Sequence, residues 1–112
     1  MMDDPDGLDA RCEFAIGFLL NGQGDARQLA AKLAQIAPDR LASELVLVLS
    51  SAAASIEDIF ASPESRATVL DTWRIAALLG VDLHVMQMLD LPHATCADLM
   101  RYWQTEDGFF LG

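Results

Sequence analysis

The chain has 112 residues, enough for one domain that buries roughly two thirds of its unfolded surface without disulfide or metal support. It carries 17 acidic side chains against 7 basic ones, a net charge of −10, on a sequence that is 53% hydrophobic. That balance argues against nucleic acid as a partner, because phosphate backbones attract clustered Lys and Arg, and the apolar fraction argues against a disordered acidic tail.

Residues 1–7 open with Asp3, Asp4, Pro5, Asp6 and Gly7, which bury too little apolar surface to offset the entropy of ordering. A disordered acidic N-terminus is expected there, and a single helical domain over 8–112. The first helix is predicted from about 8 to 21. Leu8, Cys12, Ala15, Ile16 and Leu19 recur at helical spacing, and Asn21-Gly22 supplies a left-handed stop. A second helix starts at Gly24-Asp25, aligns Ala26, Leu29, Ala30, Leu33 and Ala37 on one face, and ends at Pro38.

The third segment, about 39–61, contains Leu45-Val46-Leu47-Val48-Leu49, which is apolar at every position. Alternating Leu and Val fit a buried strand as well as a helix. No partner strand is visible elsewhere, and a lone strand leaves its backbone groups unsatisfied, so a helix is predicted. A helix without a polar face is expected to be surrounded by others, which makes 41–61 the buried centre of the fold. The uncharged run between Glu44 and Glu57 is shorter than the roughly 20 residues a membrane-spanning helix requires.

Ser62-Pro63-Glu64 reads as N-cap, first helical residue and acidic first turn. The fourth helix is predicted to turn Val69, Leu70, Trp73, Ala76 and Ala77 inward and to stop at Gly80. Asp82 would then cap a short fifth helix ending near Asp90-Leu91-Pro92. Thr95 with Asp98 resembles a capping box opening a sixth helix that buries Cys96, Leu99, Met100 and Trp103. The fold class is therefore all-α, a single compact bundle of five to six helices. A regular bundle and a globin-like or orthogonal arrangement fit equally well.

Candidate chemistry is sparse. Cys96 in the first turn of the last helix could be a dipole-stabilised thiolate with His93 as its base. That pair supports the alternative reading of a thiol-dependent enzyme or redox sensor. Asp98 in the same turn opposes a thiolate, and packing beside Leu99 is the structural explanation. Asp90, His93 and Cys96 are metal-ligating residue types, but their spacing matches no paired zinc pattern, so no metal and no cofactor is expected. His84 lacks the neighbouring cation that a phosphorylated histidine would use. Ala76 to Met86 around Gly80 resembles the turn of a helix-turn-helix. Its second helix, however, contains no Arg or Lys with which to meet DNA. Acidic mimicry of DNA remains open, although the acids show no phosphate-like spacing.

Met86, Met88, Trp103, Phe109, Phe110 and Leu111 concentrate in the C-terminal third. Met and aromatic side chains are enriched in interface cores. These six are the expected interface residues, although the helical spacing of Met100 and Trp103 favours a core position for those two. The favoured functional expectation is a small, non-enzymatic protein-interaction or regulatory module, acting as a homodimer or with another protein. A small-ligand-binding helical domain lined by Met and aromatics is the further alternative. Two cysteines and an acidic start where a secretion signal needs basic residues point to the cytoplasm. The preference for Arg over Lys, with Lys32 the lone exception, suggests a GC-rich bacterial genome.

Overall fold

The structure, a computed structural model, describes residues 7–59 and 62–105. Among them five α-helices follow one another: α1 (Leu8–Leu20), α2 (Ala26–Ile36), α3 (Ser43–Ile59), α4 (Pro63–Met88) and α5 (Cys96–Trp103). No β-strand occurs among the described residues, only an isolated antiparallel bridge between Leu41 and Thr95. The all-α bundle is thus observed, with five helices among the described residues, within the five to six expected. Of the expected disordered segment 1–7, all but Gly7 lies outside the described residues.

The helix boundaries follow local chemistry. Gly22 at φ 67° lets α1 close with Gln23 N–H donating to the Phe18 carbonyl and Gly22 N–H to that of Leu19, the paired bonds of a left-handed helix terminus. Asp25 caps α2 through the Gln28 N–H, and the Gln28 side chain accepts from the Asp25 N–H in return. Ser62 caps α4 with Pro63 at its first position, and Thr95 caps α5 with Asp98 completing the reciprocal pair.

A single contiguous core draws side chains from all five helices. α3 lies at its centre, packed on α1, α2 and most extensively on α4. Its burial is one-sided, however. Leu45, Val48, Leu49, Ala52, Ala53 and Ile56 are buried, whereas Leu47 is 52% exposed. The expectation that the whole Leu45–Leu49 run is enclosed is corrected here: at 100° per residue Leu47 points away from the seam that Leu45 and Leu49 share.

The larger correction concerns α4, which runs unbroken through Gly80. A glycine costs a helix about 1 kcal/mol, but it keeps its N–H and introduces no clash. Leu79 and Met86, on one face either side of Gly80, bury completely and hold the turns together. Asp82 is therefore no cap, and the helix-turn-helix resemblance has no turn beneath it. The rotational setting of α4 also differs from the expected one. Val69, Thr72, Ile75, Ala76, Leu79, Asp82 and Met86 face inward, while Leu70, Trp73 and Ala77 face out. α4 ends with Asp90 at φ 60°, where Leu91 N–H donates to the Met86 carbonyl and Asp90 N–H to that of Gln87.

Candidate functional site

Buried polar chemistry collects where α1, α3 and the segment after α2 meet. Arg11 is turned inward from α1; its side chain is 7% exposed, and that of Glu44 on α3 is 14% exposed. Arg11 Nε lies 2.7 Å from Glu44 Oε1 as an ion pair without hydrogen-bond alignment, and an Arg11 terminal nitrogen donates to the Leu33 carbonyl at 3.3 Å. Arg40 grips the same carboxylate with two bonds, Nε to Oε1 at 2.6 Å and a terminal nitrogen to Oε2 at 2.7 Å. The Arg40 bonds foremost, with the charges of both arginines, hold the Glu44 carboxyl below the usual glutamate range against the opposing effect of burial. The cluster ties three chain segments together by charge.

Beside it lies a hollow of about 390 Å³, lined by Arg11 and Arg40 together with Phe14, Leu33 and Ile36. Among the described residues Phe14 is its one aromatic lining residue. Both of its cations already engage Glu44.

Cys96 sits at the first position of α5, as expected, but in surroundings that suppress reactivity. It is fully buried, and its thiol lies 3.8 Å from the Leu41 carbonyl oxygen. The amides that could favour a thiolate are occupied: Cys96 N–H donates to the Arg40 carbonyl, Ala97 N–H to that of Pro38, and Asp98 N–H to Thr95 Oγ1. Burial pushes the thiol above the ordinary cysteine range, outweighing the nearby Arg11 charge. His93 is exposed, with Nδ1 2.9 Å from the Leu91 carbonyl oxygen. Among the described residues no three of Asp, Glu, His and Cys converge as metal ligands. An alkylating reagent is expected to modify the half-buried Cys12 well before Cys96, with Cys96 protected until the chain unfolds. Faster labelling of Cys96 in the native state, read by mass spectrometry, would restore the thiol reading.

The six expected interface residues separate. Met86 and Trp103 are interior, with Trp103 Nε1 donating to the buried Asp82 Oδ2 at 3.0 Å. Met88 is exposed, and Phe109, Phe110 and Leu111 lie outside the described residues. Asp82 matters because an interior indole N–H requires an acceptor. The expected cap role hid that pairing.

The outer face of α4 holds what sequence reasoning missed. Leu70, Trp73, Val81 and Met88 are 63%, 40%, 44% and 72% exposed. With Ala77 they follow at spacings of three, four, four and seven residues, on the face opposite the buried Thr72, Leu79 and Met86. α4 is thus apolar on two opposed faces, and the described residues cover only one. The available signal was a 26-residue helical stretch with apolar residues all round, the pattern of a helix covered on all sides. Its exposed charges cancel, Glu64 and Asp71 against Arg66 and Arg74, in a chain of net charge −10. No helix among the described residues is long and apolar enough to cross a membrane. No protein-family model matches the chain, and neither a curated protein nor a solved structure is significantly similar to it.

Proposed function

We propose that the chain is a non-enzymatic protein-interaction module whose working surface is the outer face of α4. The observation that carries this reading is the second apolar stripe, Leu70 to Met88, which the described residues leave exposed on the central helix pair. The largest exposed apolar patch of a monomer is often its functional surface, and Trp and Met are favoured residues of interface cores. The partner is a second copy of the chain or another protein. A cytoplasmic setting is supported by two cysteines that form no disulfide.

Photo-crosslinking inside the host cell tests this. A photoreactive residue at position 70 or 81 is expected to yield protein adducts, to self or to another chain, while the same residue at exposed position 57 yields none. The absence of any protein adduct at 70 and 81 would refute the proposed surface.

A further inference from the structure

Resting on that reading, we infer that the occupant of the α4 stripe is the stripe of a second copy, laid antiparallel across a two-fold axis near Leu79. The stripe is close to palindromic. Bulky Leu70 and Trp73 stand at one end and Met88 at the other, with Ala77, Gly80 and Val81 between them. Antiparallel pairing sets Leu70 against the partner's Met88 and Ala77 against the partner's Val81, the self-complementary contact a two-fold interface requires. The centre permits close approach: a Cβ built on Gly80 meets nothing within 4 Å. The stripe is about 27 Å long at 1.5 Å per residue, long enough for a sustained helix–helix seam.

Charge selects the same arrangement. Two chains of charge −10 repel each other over most of their surface, and they can meet only where that charge is absent. The exposed part of α4 is neutral. Antiparallel pairing also brings Arg66, exposed near the start of α4, to the partner's Asp90 at its end, whereas parallel pairing sets like beside like. The uncovered apolar area is on the order of 400–500 Å² per copy, and a polar rim including Arg66, Arg74 and His84 extends it towards the roughly 800 Å² per partner of a stable interface.

Sedimentation equilibrium of the full chain across the micromolar range is expected to show a dimer. Val81→Arg should weaken it at least about a hundredfold, as expected for a charge set in a desolvated contact, while its circular dichroism melt stays that of the parent under monomeric conditions. Arg66→Gln and Asp90→Asn should each weaken the dimer several-fold, and the double variant no further, because both remove one contact. Additive losses from those two changes would overturn the antiparallel register. A dimer indifferent to Val81→Arg would overturn the surface, and if Phe109→Ser with Phe110→Ser abolishes that dimer, the contact belongs to the C-terminal tail. A monomer at every concentration would overturn self-pairing. Protein adducts from position 81 to a different chain would in that case leave the interaction reading standing.

Discussion

Leu45→Asp is expected to unfold the chain, whereas Leu47→Asp, two residues further along the same apolar run, leaves it folded. Leu45 is fully buried on the face of α3 that meets the core, and Leu47 is 52% exposed. An unpaired carboxylate at position 45 costs several kcal/mol, comparable with the roughly 5–15 kcal/mol that holds a domain of this size together. At position 47 the new charge stays in water, and the loss is confined to partial packing, about 1 kcal/mol or less. Thermal and urea melts followed by far-ultraviolet circular dichroism distinguish the two. If Leu47→Asp also abolishes the transition, α3 is covered on its outer side and its one-sided burial is wrong.

Glu44→Ala is expected to cost about 3 kcal/mol, near the lower end for removing one partner of a buried ion pair. The loss is large because Arg11, 7% exposed, is left with an uncompensated charge. Arg40 is more exposed, its side chain 28% against 7% for Arg11, and its removal leaves Glu44 the Arg11 charge, so Arg40→Gln should cost less than Glu44→Ala. The same cluster predicts a pH dependence. Folding lowers the Glu44 carboxyl below its ordinary value of 4.5, chiefly through the Arg40 bonds. Its contribution is therefore complete above pH 4.5 and is lost as the pH falls through the lower folded value. Asp98, held low foremost by the Thr95 backbone N–H, acts in the same direction. In Glu44→Gln the fall of stability with acid below pH 4.5 should be shallower than in the parent. An unchanged acid limb would show that Glu44 does not titrate as a member of this cluster.

The exposed apolar face and the buried one share one origin in α4. Thr72, Leu79 and Met86 enter the interior while Leu70, Val81 and Met88 stand outside. A helix with apolar residues on both faces has no intrinsic inside. The inward assignment of Leu70 and Trp73 was locally reasonable, and the opposite setting prevailed because it also delivers Asp82 to the Trp103 indole and Ile75 to the core. Those contacts involve residues far apart in the chain, and no local spacing encodes them. Arg11 is a similar case: a cation on a helix reads as solvated until a carboxylate 33 residues away lies beneath it.

The sequence by itself determined the fold class and most helix termini. Caps such as Asp25 with Gln28, Ser62 with Pro63 and Thr95 with Asp98 act within one turn of backbone, as does the left-handed Gly22. Their free energies are local and so are legible in a short window. Only the tertiary structure decided that Gly80 lies inside a helix, that α3 buries one side, that Cys96 is sealed beneath the Leu41 carbonyl, and which apolar face of α4 stands exposed among the described residues. Each of these outcomes is a competition between a local cost of about 1 kcal/mol and the burial of side chains contributed by other helices. The larger, non-local contribution decides it.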